Sequence, residues 1–184
     1  MLGREKPMKH WFLIPFIISL IGGSSAPLGA LEIPNPFSSY TSKVVPFQID
    51  IPVSWSVENP PQSPNPYLIF FAWNAQAGIQ ILLEHTDFGS LTAFKEKVRQ
   101  DITIFPQAII LAEGKTTVAQ LPGYWFDYSF PTQEDTLRAR LYLFSRNDAF
   151  FRIICLTSQE NFYLLLPTFE HVVQSLHFLS PRNP

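Results

Sequence analysis

The chain has a single cysteine, eight scattered glycines and no apolar run long enough to cross a membrane. Each scarcity removes a class of function. Cys155 has no partner for an intrachain disulfide, and inside FFRIICLTS it reads as a small buried hydrophobe, not a nucleophile. The glycines are too few and too dispersed to cradle a phosphate. There is no G-x-S-x-G elbow, no H-E-x-x-H helix and no Walker-type loop. Charge is also sparse: 13 basic and 15 acidic residues leave −2, so there is no basic footprint for nucleic acid.

Aromatic residues are abundant by contrast. Seventeen Phe, six Tyr and four Trp supply enough bulk for a large core. Proline clusters at 58–66 (ENPPQSPNP), which reads as an exposed polyproline-type loop.

The N-terminus has the layout of a secretory signal. Arg4, Lys6 and Lys9 precede the apolar run Trp11 to Ile21, and the small-residue stretch GGSSAPLGA follows. Its 11 residues fall short of the roughly 18 or more of a membrane span. We read residues 1–30 as a signal peptide cleaved after Ala26 or Ala30, the other readings being an uncleaved anchor or a buried N-terminal helix. No cysteine follows the run, so the lipoprotein route is absent. Cleavage removes three basic groups and one acid and moves the formal charge from −2 to −4, which offers no polybasic attraction to a membrane. The expected location is periplasmic or otherwise extracytoplasmic.

Residues 31–42 are rich in proline and serine and read as a linker; a single domain is expected over 43–180. In VVPFQIDIP, Val45, Phe47, Ile49 and Ile51 alternate with Gln48 and Asp50, the period of a half-buried strand. VSWSV adds a short strand. YLIFFAW and GIQILLEHT form a hairpin about Asn74–Gly78. Ser90 caps a helix whose apolar stripe is Leu91, Phe94, Val98, Ile102 and Phe105, stopped by Pro106. Strands are expected at 115–121, 124–130, 137–145 and 149–157, with a Leu-Pro-Gly turn at 121–123 ahead of the second. The last is followed by a second helix capped by Ser158, with Pro167 inside it or opening its second half. This order gives an α+β fold, an antiparallel sheet covered by helices.

Several segments together resemble the PsbP-like and DcrB-like proteins: IPVSW after an opening strand, SLTAFKEKVRQDI, LPGYWFDYSF before a long hairpin, LTSQENF, and FEHVVQSLHF near the end. The resemblance spans residues 43–179. It implies an α-β-α sandwich with a central antiparallel sheet, and an accessory, adaptor or envelope protein without catalytic residues.

The histidines do not nominate a metal site. His171 and His177 lie six apart, on different sides of a helix, and His85 with Asp87 lacks a third ligand nearby. No motif marks a cofactor. The hairpin carries more information. If Phe130 and Leu137 close it, Asp127 faces Arg140, Ser129 faces Arg138 and Trp125 faces Tyr142, while Phe126, Tyr128 and Phe130 share the opposite, apolar face. Extending the sheet with Ser145 opposite Ala149 adds Arg152. The mixed face is then Trp125, Asp127, Arg138, Arg140, Tyr142 and Arg152: an anion-, glycan- or partner-binding surface, or a cross-strand charge pair beneath a helix. The chain is therefore read as an exported, non-enzymatic accessory protein with an envelope protein partner. A small-ligand binder using the mixed face is the alternative.

Overall fold

Strict apolar alternation in one segment and continuous apolar runs in others call for strands buried on one face and on two faces respectively. The computed structural model describes residues 36–58, 62–85 and 88–180 and contains both kinds. Strands β1 (Phe37–Thr41) and β2 (Phe47–Pro52) pair with the short β10 (His177–Phe178) in a three-stranded sheet. The main sheet has seven strands: β3 (Ser56–Glu58), β4 (Leu68–Trp73), β5 (Ala77–Glu84), β6 (Ile109–Val118), β7 (Leu121–Pro131), β8 (Thr136–Arg146) and β9 (Ala149–Ser158). Their spatial order is β3-β4-β5-β9-β8-β7-β6, with every pair antiparallel. Strand β9, apolar almost throughout, sits between β5 and β8 and is buried along nearly its whole length.

Helix α1 (Leu91–Ile104) covers one face of this sheet. Ser90 caps it by accepting from the Ala93 amide at 3.1 Å, and Phe94, Val98 and Ile102 are buried against Phe71, Phe126 and Leu143. The other face packs on the small sheet and on helix α2 (Phe162–Ser175), through Ile49, Phe70, Phe144, Phe169 and Val172. The α-β-α layering and the antiparallel sheet are as expected.

Four local readings are corrected. The segment read as linker contains β1, which pairs with β2 from Phe37↔Pro52 to Thr41↔Gln48; Tyr40 packs its ring against Phe70 at 5.5 Å. Its aromatic residues anchor a stretch whose serines and prolines suggested a loop. Leu121-Pro122-Gly123 is not a turn but the start of β7. The reversal occurs at Ala119 and Gln120, both at positive φ, and β6 runs back to Ile109. Helix α2 begins at Phe162, not at Ser158, whose hydroxyl accepts from the Asn161 amide at 3.4 Å in the preceding turn. Pro167 lies inside the helix.

The fourth correction changes the candidate face. The turn after β8 holds two residues, Asn147 and Asp148, both at positive φ as a type I′ hairpin requires. Arg146 therefore faces Ala149, and Ser145 faces Phe150. Strand β9 shifts by one residue, and each of its side chains changes face. The signal-peptide reading and Asp87 lie outside the described residues.

Candidate functional site

The β7–β8 register matches expectation residue for residue: Trp125↔Tyr142, Asp127↔Arg140, Ser129↔Arg138 and Phe130↔Leu137. Five of the six candidate residues therefore share one face. Arg152 does not. It faces Leu143 and projects to the opposite side of the sheet, toward α1.

Asp127 is the centre of the mixed face and is only 3% exposed. Arg140 grips it with a two-pronged fork, Nε to Oδ1 at 2.7 Å and Nη2 to Oδ2 at 2.8 Å. The third nitrogen of Arg140 donates to Glu170 Oε1 of α2 at 2.9 Å, and the guanidinium lies 4.6 Å from the Trp125 ring. Arg138 shares Asp127 at 3.6 Å and lies against two mutually perpendicular rings of α2, 4.1 Å from Phe162 and 4.5 Å from Tyr163. Cys155 of β9 lies opposite Arg140, and Tyr142 is buried beside them. The hydrogen bond from Arg140 to Asp127 holds the guanidinium even more firmly in its charged form. Burial pushes both the Tyr142 phenol and the Cys155 thiol well above their ordinary ranges, so each stays neutral.

The arrangement is close to electroneutral: two guanidinium groups meet two carboxylates, and their flat faces are taken up by rings. Charge-assisted forks of this kind fix geometry as well as contributing energy. Helix α2 covers the face, and an anion or glycan would have to displace it to reach Arg140. The cluster docks a helix, and the outer side of that helix presents Tyr163 at 68% exposure, Leu164 at 42%, and Pro167. Sequence reasoning missed Glu170, Phe162 and Tyr163. Nothing short-range in the sequence links them to β8; only a helix folded back over the hairpin does.

On the other face, Arg152 is buried among Glu84, Asp101 of α1, whose Oδ2 lies 3.4 Å from Nη2, and the Phe94 ring at 5.2 Å. It lines a cavity of about 40 Å³ beneath α1 with Tyr128, Phe130 and Leu141. Burial raises the Tyr128 pKa to about 12, although the nearby Arg152 charge pulls it down. Among the described residues no group of three or more His, Cys, Asp or Glu converges as a metal site. His171 instead stacks on Phe37 at 4.0 Å, with its Nε2 3.9 Å from Asp50.

No protein-family model and no curated protein matches the sequence. Solved structures do match the fold. The cyanobacterial PsbP (CyanoP) of Synechocystis sp. PCC 6803 has a TM-score of 0.60 at 13% identity, over 86% of this chain and 99% of that one. LpqN of Mycobacterium tuberculosis, involved in cell envelope biogenesis, has a TM-score of 0.53 at 11% identity, over 79% and 91%. The Saccharomyces cerevisiae Ran-binding protein Mog1p has 0.56 at 11%, over 78% and 95%. At these identities the likeness concerns the fold, which is PsbP-like.

Proposed function

We propose that this is an exported, non-catalytic accessory protein of the cell envelope that acts through protein contacts made by the outer face of α2. The observation that carries the reading is the pair Tyr163 and Leu164. Both are large, exposed and seated on a helix pinned to the sheet, and Tyr163 stacks on Arg138. A rigid aromatic residue loses little entropy on binding, which suits a contact hot spot. The fold adds weight, since LpqN is involved in envelope biogenesis and Mog1p binds Ran. The N-terminal signal pattern supplies the route of export.

The test is photo-crosslinking in the producing cells, with benzoylphenylalanine at position 163 and, as control, at the exposed Gln174 of the same helix. A discrete envelope partner trapped from position 163 but not from 174 supports the reading. Equal patterns from both positions, or recovery of the protein from the cytoplasm with residues 1–30 intact, would sink it.

A further inference from the structure

The two edges of the main sheet are very unlike. Strand β3 has 3 residues and runs directly into the proline-containing segment that starts after Glu58, so it is short and blunt. Strand β6 has 10 residues, pairs among the described residues with β7 on one side only, and is exposed along most of its length. A bulge between Ile110 and Ala112 interrupts its start, and the pairing with β7 is regular from Ala112 to Val118. A regular open edge carries unpaired amides and carbonyls, a template for another strand.

The turn shows which groups are open. A two-residue turn at Ala119 and Gln120 makes Val118 and Leu121 the hydrogen-bonded pair that closes it, and bonding then alternates along the ladder. Thr116 and Gly114 bond to β7. Thr117, Lys115 and Glu113 turn their amides and carbonyls outward. Pro122, which faces Thr117, agrees with this phase because it has no amide to give.

An edge meeting its own copy antiparallel must match outward residues with outward residues, so three central registers exist. Centring on residue 113 sets Glu113 against Glu113, and centring on 115 sets Lys115 against Lys115. Centring on Gly114 sets Glu113 against Lys115 twice, in the hydrogen-bonded positions, with glycine at the two-fold axis. Lys115 makes no ion pair among the described residues, so it is free to take this partner. Glu113 already forms ion pairs with Lys95, at 3.4 Å, and with Arg99 of α1, on the same face as Lys115, so Lys115 of a second copy would join an existing cluster in which two cations share one carboxylate. The sequence of this edge is thus self-complementary in charge in a single register.

We propose that β6 is a self-association edge: two copies of the chain pair antiparallel through residues 111–117 about Gly114, joining two seven-stranded sheets into one. The proposal is independent of the α2 contact surface, which lies on the other layer of the sandwich.

Hydrogen exchange reads the edge directly in the full chain. The amides of Glu113, Lys115 and Thr117 should exchange slowly, and more slowly as protein concentration rises, while the amide of Gly114 is protected throughout. Lys115→Glu places like charges opposite each other twice and should weaken dimerisation by about 30-fold or more, as measured by sedimentation equilibrium. The double swap of Glu113→Lys with Lys115→Glu re-creates both pairs between copies but sets a lysine at position 113 beside Lys95 and Arg99, so it should restore dimerisation in part, above the level of Lys115→Glu alone. Thr117→Pro removes an outward amide only, and should weaken the dimer while leaving the melting temperature of the monomer near that of the parent. Outward amides that exchange as free at every attainable concentration overturn the proposal. So does a dimer indifferent to Lys115→Glu, or a folded double swap that stays monomeric.

Discussion

Asp127 bridges two guanidinium groups inside the protein, with Glu170 as the second carboxylate, so its charge holds the cluster together. The Asp127 and Arg140 side chains are 5% and 13% exposed, so the pair has exchanged most of its hydration for the fork and for Glu170. Removing one partner of a buried pair costs far more than the pair contributes net, because the other charge is left uncompensated. Asp127→Asn should therefore lower unfolding free energy by about 3–5 kcal/mol, whereas Glu96→Ala at the exposed pairs with Lys95 and Arg99 should cost no more than about 1 kcal/mol. Urea titration of both variants checks the contrast; equal losses would mean that Asp127 is effectively solvated. Tyr128 gives a second signature. Its pKa of about 12 in the folded protein exceeds the ordinary value of 10, so folding favours the neutral phenol. That contribution is complete below pH 10 and is lost as pH rises toward 12, where the unfolded chain ionises and the folded one does not. Its size is on the order of 2–3 kcal/mol. Tyr128→Phe should flatten that part of the stability–pH curve, and an unchanged slope would refute the assignment. Asp127, Arg138 and Arg140 were legible in the sequence because a hairpin pairs by simple counting. Glu170 was not, since a helix returning from later in the chain brings it in.

At the scale of elements, the turns explain both the successes and the errors. Asn147-Asp148 carries a turn signature, yet including Arg146 in the turn moved Arg152 to the wrong face. Ala119-Gln120 carries no such signature, while Leu-Pro-Gly two residues later carries a misleading one. Side chains with a β-carbon disfavour positive φ, so the Ala119-Gln120 turn is held by the flanking strands and not by its own preference. Replacing Gln120, at φ 64, with glycine should relieve this and raise stability by about 0.5–1 kcal/mol. A thermal melt with no gain, or a loss, would show that Gln120 makes a compensating contact. The helices were easier to read, because a stripe at 3.6-residue spacing survives small errors of boundary. Strand β1 was missed for the opposite reason: five residues containing two serines show too few periods to reveal alternation.

At the scale of the whole molecule, one sheet separates two cores, and strand β9 belongs to both. Alternate β9 residues Ile153 and Cys155 pack toward α2 and the small sheet, while Ile154 and Leu156 pack toward α1. Neither layer can loosen without uncovering a face of that strand, so the small sheet and α2 should not melt apart from the rest. Conservative deletions on the two sides test this. Ile49→Val, on the small sheet, and Ile102→Val, on α1, each remove one buried methylene and should cost about 0.5–1.5 kcal/mol. The two sites lie on opposite sides of the main sheet without shared neighbours, so the double variant should equal the sum within about 0.5 kcal/mol. Denaturation of all three should remain a single transition with an unchanged dependence on denaturant, by tryptophan fluorescence and far-ultraviolet circular dichroism alike. If instead Ile49→Val separates the two probes, the small sheet and α2 form a unit of their own. Residues 163 and 164 would then sit on a layer able to detach, and a partner could bind by capturing the released helix instead of docking on a fixed one.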